Sequence, residues 1–345
     1  MNKYLFIAPV RPDKISGPLN SVSSLVKGLI VSGHHVRFFS LGVGCTENFS
    51  YNGVDLEKFS LRRIIKHSAD SITILTGLYS VKILFLCLLL TVLGRKVIFS
   101  TRGNLSLASF SKSPVRKKIY LFLAKPLLER VSAIHYLSNK ERLNSMPLKN
   151  RNFLCPNIVN FDPTYHEVDC FKQRNNSITY IGRLDILHKG LDLLIQFASD
   201  HRRYLLQQRF KIFIYGPGRG NDRIILEELV TKNNLNSLVE IRNPVVGEEK
   251  FEILRRSKYF IHLSRFEGVP QAVLEAYAAG CKLIVSNGCN LYDDIYKSKN
   301  VINYSEPNNI ETFLSDNNYD EDFDFSSLSE SSITYVFNER INEVL

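Results

Sequence analysis

The sequence predicts an α/β protein made of two doubly wound domains that face a shared cleft. Three observations lead there. Runs rich in β-branched and aromatic residues alternate with stretches of helical period, the rhythm of a parallel sheet covered by helices on both faces. The rhythm stops once, at "CPNIVNFDPTYHEVDCFKQRNN" (155–176), a Pro- and Asn-rich stretch without a period, and then restarts. The length, 345 residues, suits two domains of ordinary size.

In residues 1–155, "KYLFIAP" reads as a strand ended by Pro9. "SGPLNSVSSLVKGLIVSGH" follows as a glycine turn and a helix, with Leu19, Val22, Leu25, Val26, Leu29 and Ile30 at helical spacing. "HVRFFSL", "SITILTG", "KVIFSTRG" and "AIHYLS" are further strands, each flanked by helical stretches. The oily run "ILFLCLLLTVLG" (83–94) is too short for the ~20 residues that cross a bilayer, so it reads as a buried helix. A second domain over 156–318 repeats the pattern: "SITYIG", "FKIFIYG", "LVEIRNP", "KYFIHLS" and "KLIVSN" are strands with helices between them. Residues 319–345 form an acidic loop and an amphipathic closing helix with Ile333, Val336, Phe337, Ile341 and Val344 on one face, expected to pack back towards the first domain.

Composition excludes several classes. Hydrophobic residues make up 44% and charged residues 23%, the balance of a globular protein. The six cysteines (Cys45, Cys87, Cys155, Cys170, Cys281, Cys289) form no CxxC pair or Cys/His cluster, which argues against a zinc site or a disulfide framework and fits a reducing cytosol. "MNKYLFIAPV" is too soon interrupted to be a secretory signal. The net charge of +10 is uneven: residues 1–155 carry +16 and residues 156–345 carry −6. Such asymmetry points to an anionic partner for the first half. "KSPVRKKIYLFLAKPLLER" (112–130) has six bases and one acid, Glu129, interleaved with apolar residues. It reads either as a helix lying on an anionic membrane surface or as a solvated helix face over the core. Nucleic acid is not the expected partner, because the bases lack the interleaved aromatics of a stacking platform.

In doubly wound folds ligands bind outside the carboxyl ends of the strands, so chemistry is expected there. "GRLDILHKGLDLL" (182–194) sets Arg183 and Lys189 around a loop that leads into a helix. Two cations at a helix start make a receptor for a diphosphate. His188 between them reads as a loop residue. "FIYGPGRGND" (213–222), with Gly216, is a tight turn or a phosphate loop, and no GK[ST] marks it as a nucleotide-triphosphate loop. "SRFEGVPQAVLEAYAAG" (264–280) carries Glu267 on a turn and Glu275 on a helix. Pro270 is expected at the first helical position, with the helix running to about Ala279 and Gly280 behind it. The two acids read either as solvated charges on a capped core helix or as a clamp for the hydroxyls of a sugar and a ribose, with the amides of Gly268, Val269, Gln271 and Ala272 facing phosphates.

E-x7-E at this strand–loop–helix junction resembles the family 4 glycosyltransferases of the two-Rossmann (GT-B) type. "YIGRLDILHKGLDLL" is similar to that family's GRL…KG segment, "CPNIVNFDPT" to its interdomain PNGVD segment, and "SGPLNSVSSLVKGLIVSGHHV" to its first loop and helix. The resemblance spans about residues 5–305. It implies an α/β fold of two Rossmann-like domains facing a cleft. It implies a retaining hexosyltransferase that uses a UDP- or GDP-linked sugar without a bound metal or other cofactor. Arg183 and Lys189 would bind the diphosphate, Glu275 the ribose, and Glu267 with the amides of Gly268, Val269 and Gln271 the transferred sugar. Gly182, Gly216 and Pro270 would complete the donor site, and Ser16 and Gly17 of the first loop would approach the phosphate. Where many relatives have a His near the acceptor, "TRGN" offers Arg102 and Gly103; the first loop, "KISGPLN", has one glycine where many relatives have two. The expected setting is the cytoplasm, peripheral on the inner face of the membrane, with a glycan or lipid-linked acceptor in bacterial surface polysaccharide synthesis. A catalytically silent scaffold and a nucleotide-sugar 2-epimerase are the alternatives.

Overall fold

In the computed structural model, all residues are described except 12–16, 43–46, 109–114, 160–170, 307–308 and 321–322, and the side chains of 18 and 115–118 are also left aside. Ser16, most of the first loop and half of the interdomain segment, 160–170, therefore lie outside the described residues. The chain divides into two compact units, Met1–Ile158 with Ser326–Leu345, and Val159–Phe325.

The first unit is built on an eight-stranded sheet. Its strands are β1 (Lys3–Ala8), β2 (His35–Ser40), β3 (Phe49–Tyr51), β4 (Val54–Lys58), β5 (Ile72–Thr76), β6 (Val97–Ser100), β7 (Ala133–Tyr136) and β8 (Asn152–Leu154), in the order β3-β4-β2-β1-β5-β6-β7-β8. Only β3 runs antiparallel, against β4. That hairpin turns at Asn52 and Gly53, both at positive φ, an Asn-Gly turn the sequence reading passed over. Strands β6 and β7 are wholly buried, as expected of parallel strands covered on both faces. The helices are α1 (Gly17–Val31), α2 (Leu61–His67), α3 (Val81–Val92), α4 (Val115–Leu128), α5 (Asn139–Leu143) and, returning from the far end of the chain, α13 (Glu330–Val344).

Three expectations are corrected here. Ile30 is exposed rather than in the core of α1. The oily helix α3 is buried on one side only: Ile83, Leu86, Cys87 and Leu90 pack inward, while Val81, Phe85, Leu88 and Val92 face outward. The closing helix uses Ile333, Phe337 and Ile341 as its buried face, with Thr334 in place of Val336. Phe337 is the keystone of that contact. Its ring lies within 6.5 Å of Tyr4, Phe6, His135 and Phe153, centroid to centroid. Helix α13 also crosses α1 at Gly28, where a Cβ would stand 2.3 Å from the Thr334 hydroxyl.

The second unit has a six-stranded, wholly parallel sheet: β9 (Asn175–Ile181), β10 (Lys211–Tyr215), β11 (Val239–Arg242), β12 (Ser257–His262), β13 (Lys282–Val285) and β14 (Val301–Asn303), ordered β11-β10-β9-β12-β13-β14. Its helices are α6 (Leu191–Asp200), α7 (Arg202–Gln207), α8 (Asp222–Lys232), α9 (Gly247–Arg256), α10 (Gln271–Ala278), α11 (Asp293–Lys297) and α12 (Ile310–Ser315). Two lysines at the amino ends of central strands are buried. Lys282 donates to the Asp316 carboxylate and carbonyl at 2.8 and 2.9 Å, and Lys258 to Asn176 and Asn317 at 2.8 and 3.0 Å. They fasten the segment after α12 to the end of the sheet opposite the candidate site. Strong alternation in the sequence gives no hint of such charges inside strands.

Phe337→Ala should lower the unfolding free energy of the first unit by about 3–5 kcal/mol, because the cavity cannot close against four aromatic neighbours. Denaturant titration checks this; a shift below ~1 kcal/mol would mean that the C-terminal helix is not part of that core.

Candidate active site

Numbered within its own unit, the second sheet has strand order 3-2-1-4-5-6. The order reverses between β9 and β12, and the carboxyl ends of those two strands are where a doubly wound sheet opens for a ligand. The loop 182–190 leaves β9 and the turn 263–269 leaves β12. Every donor-side residue singled out in the second domain, apart from Gly216 after β10, lies on these two segments, on helix α10 or at its N-cap.

The two loops are tied together at several points. Gly190 adopts φ +65, and a Cβ there would come 2.0 Å from the Leu263 carbonyl, so only glycine fits. The Arg265 amide donates to the His188 carbonyl at 2.9 Å. The His188 ring stacks on Phe266 with centroids 4.1 Å apart, and its Nε2 meets the Phe266 carbonyl at 2.8 Å. Arg265 grips Asp192 through two bonds of 2.7 and 2.6 Å and donates to the Leu187 carbonyl at 2.8 Å. His188 is thus a strap between loops, in line with its reading as a loop residue. A third loop, after β13, supports the same turn. The Ser286 hydroxyl donates to the Ser264 carbonyl at 2.6 Å, and Asn290 donates to the Glu267 carbonyl at 2.7 Å.

Inside this frame Lys189 forms an ion pair with Glu267, both side chains being largely buried. The bond goes to Oε1. The Ser264 hydroxyl donates to the same oxygen at 2.9 Å, and His262 Nε2 lies 3.5 Å from it. No partner meets Oε2 among the described residues. Burial alone would raise the Glu267 carboxyl, but Lys189, His262 and His188 outweigh it and hold the group well below the usual carboxylate range. His262 is itself wholly buried, with ring centroids 5.4 Å from Tyr180 and 6.1 Å from Phe260. Burial lowers its pKa against the opposing pull of Glu267, so it is neutral near pH 7. A hydrogen on Nε2 suits the contacts with Ser264 (3.0 Å) and Glu267. Ser264 and His262 were missed in the sequence because His262 ends a buried strand and Ser264 stands two residues beyond it, where a polar residue every second position looks like ordinary alternation.

Arg183 is exposed, and its guanidinium makes no hydrogen bond or ion pair among the described residues. Gly182 and Gly216 belong together. The Gly182 amide donates to the Tyr215 carbonyl, and a Cβ on Gly216 would stand 1.7 Å from the Gly182 carbonyl. Gly216 is needed for the close approach of two strand ends. Pro270 is the N-cap of α10, extended at φ −72 and ψ 117, rather than its first residue, and α10 ends at Ala278 with Gly280 at φ +80 behind it. Among the described residues, the amides of Gly268 and Ala272 have no acceptor. Val269 and Gln271 lie on either side of Pro270, the first buried and the second half-buried. Glu275 is buried on α10 and pairs at 2.9 Å with Lys250 of α9. Burial raises its pKa and Lys250 opposes the rise. Lys250 lies 25 residues away on another helix, so no local pattern could have revealed it.

In the first unit, Gly17 opens α1, exposed, and a Cβ there would meet nothing within 4 Å. Arg102 follows β6 at φ +45, with Gly103 at φ +79 after it. Its guanidinium donates to Ser21 at 2.6 Å and to Asn157 at 3.0 Å. The turn is shaped from beneath by Glu141, a buried carboxylate that accepts from the amides of Gly103 and Leu137 and from the Thr101 hydroxyl. No group of three or more His, Cys, Asp or Glu residues that could hold a metal ion is found among the described residues.

Residues 162–319 match the model of the family "Glycosyl transferases group 1". Solved structures share the fold along the whole chain. Sucrose-phosphate synthase from Thermosynechococcus elongatus is 14% identical with a TM-score of 0.69, covering 100% of this chain and 95% of the other. Anabaena Alr3699/HepE, solved with UDP and glucose, is 13% identical with a TM-score of 0.65, covering 100% and 97%. AviGT4, a glycosyltransferase involved in avilamycin A biosynthesis, is 13% identical with a TM-score of 0.64, covering 100% and 98%. No curated protein matches the sequence. The match makes residues 162–319 a glycosyl transferases group 1 domain, and with the fold of two Rossmann-like α/β units it supports a transferase enzyme.

Proposed function

We propose that the chain moves a hexose from a UDP- or GDP-linked sugar to a glycan or lipid-linked acceptor, with retention of anomeric configuration and without a bound metal. The setting we infer is bacterial surface polysaccharide synthesis (O-antigen, capsule or lipopolysaccharide), at the inner face of the cytoplasmic membrane. The observation that carries the reading is the switch-point geometry: Arg183, without a partner among the described residues, shares a loop with Lys189, whose ion pair with Glu267 leaves one carboxylate oxygen without a partner among those residues. HepE, a similar structure solved with UDP and glucose, supports a nucleotide-sugar donor.

In this mechanism Arg183 and Lys189 meet the diphosphate and stabilise the charge that develops as it leaves. Glu267 Oε2 and the amide of Gly268, with those of Val269 and Gln271, hold the hydroxyls of the transferred sugar. Glu275 takes the ribose diol. Ser16 and Gly17 approach the phosphates from the first loop, and Arg102 and Gly103 form part of the acceptor side. The acceptor hydroxyl attacks the anomeric carbon from the face the diphosphate leaves, and a phosphate oxygen takes its proton. The basic first half, net +16, suits an acceptor that presents phosphates at an anionic surface.

Arg183→Ala should lower transfer at least ~100-fold, the effect of about 3 kcal/mol of transition-state stabilisation, with no change in melting temperature. Lys189→Ala should lower transfer as much and destabilise the fold as well, since it leaves a buried carboxylate unpaired. Turnover near wild type in either variant contradicts the assignment. Steady-state kinetics with a panel of UDP- and GDP-sugars, alongside thermal melts, reads both.

The same pair has a pH dependence. The Glu267 pKa is lower folded than unfolded, so its contribution to stability is full above the unfolded value of ~4.3 and is lost as pH falls through the folded value. Glu267→Gln should therefore be less stable than wild type at neutral pH, with the gap closing as pH falls below ~4.3. A gap independent of pH would show that Glu267 is not held ionised by its neighbours.

A further inference from the structure

We propose that the outward faces of α3 and α4 form one apolar surface that inserts into the acyl boundary of an anionic lipid leaflet. This rests on the membrane location proposed above and names the surface responsible for it. On α3, Val81, Phe85, Leu88 and Val92 recur at steps of four, three and four, a single stripe on the side away from the sheet. A helix lying on a soluble surface carries charge there; α3 carries one charge, Lys82, near its start. On α4, Ile119, Phe122 and Leu123 are exposed while Leu121, Ala124 and Leu128 are buried. The two helices are successive right-handed crossovers, β5 to β6 and β6 to β7, and so lie side by side on the same face of the sheet. The Tyr120 hydroxyl donates to the Leu78 carbonyl at 2.6 Å, and the Tyr79 and Tyr120 rings lie 6.2 Å apart, joining the start of α3 to α4.

Charge decides the occupant. Between Asp70 and Glu141 the sequence holds eleven Lys and Arg and one acid, Glu129. Lys82, Lys96 and Arg130 are exposed around the apolar faces, and Lys125 is half-buried beside them. A second copy of this chain would bring one basic field against another, whereas phospholipid headgroups of negative charge neutralise it. At 12 residues α3 is about 18 Å long, too short to cross a hydrocarbon core of ~30 Å. None of the described helices is long and apolar enough to cross a membrane. The surface therefore lies in the interface plane, with apolar side chains below the headgroups and bases among them.

The chain has no tryptophan, so Phe122→Trp supplies a single reporter. With vesicles of phosphatidylglycerol and phosphatidylcholine its emission should shift to the blue and be quenched by brominated acyl chains. Sedimentation with those vesicles should persist in part at about 0.5 M salt, where electrostatic adsorption is screened. Phe85→Asp combined with Phe122→Asp should weaken vesicle binding at least ~10-fold while leaving the melting temperature and the thermal shift given by UDP or GDP unchanged. Absence of a blue shift overturns the proposal. Binding that salt abolishes completely overturns insertion, and concentration-dependent dimerisation lost in the double variant assigns the face to a second copy instead. A protein that binds vesicles but shows no shift with either nucleotide would refute the donor reading and leave this surface standing.

Discussion

A carboxylate removed from water at the end of a buried strand stays ionised only if cations and hydrogen-bond donors replace the lost hydration. Glu267 meets that condition with Lys189, Ser264 and His262, all directed at one of its two oxygens. The arrangement requires the loop after β9 to lie against the turn after β12, and most of the local structure follows from that demand. Gly190 permits the approach, Arg265 and Asp192 lock it, and His188 stacked on Phe266 fills the space between. Asn290 and Ser286 hold the turn from the side of β13. Once these contacts are made, one oxygen of Glu267 and the guanidinium of Arg183 are left without a partner among the described residues.

The first unit solves a similar problem with different groups. The turn carrying Arg102 and Gly103 runs at positive φ through both residues, a conformation that costs an arginine energy and needs outside support. Glu141 supplies it from below through two backbone amides and a threonine hydroxyl. Burial raises the Glu141 pKa while those donors oppose the rise. The Arg102 side chain is steadied by Ser21 on α1 and by Asn157, so its direction is set by three separate parts of the chain. In both units a buried glutamate shapes a strand-end turn beside an arginine, although the arginine is open in one and engaged in the other.

The fold was legible because parallel strands covered on both faces leave near-continuous apolar runs, and "KYFIHLS" and "KLIVSN" show them plainly. The strand ends at which the candidate site is sought were legible for a related reason: Arg183, Lys189 and Glu267 stand just beyond such runs. What stayed hidden was everything that depends on distant chain segments meeting. Lys250 beside Glu275, Asp192 beside Arg265 and Asn290 beneath Glu267 carry no mark in their own surroundings. The short hairpin of β3 and β4 has too few residues for a period. The α3 stripe escaped because a wholly apolar run says nothing about which of its sides is covered; only the packing of β5, β6 and α4 leaves Phe85 and Val92 outside.

The Lys189–Glu267 pair joins the two loops and sets the open oxygen in place. A double-mutant cycle of Lys189→Met and Glu267→Gln, read as unfolding free energy at neutral pH, measures the coupling directly. The expected interaction is at least ~1.5 kcal/mol, each single variant costing more than its share of the double. Additive effects, with coupling below ~0.3 kcal/mol, would contradict it.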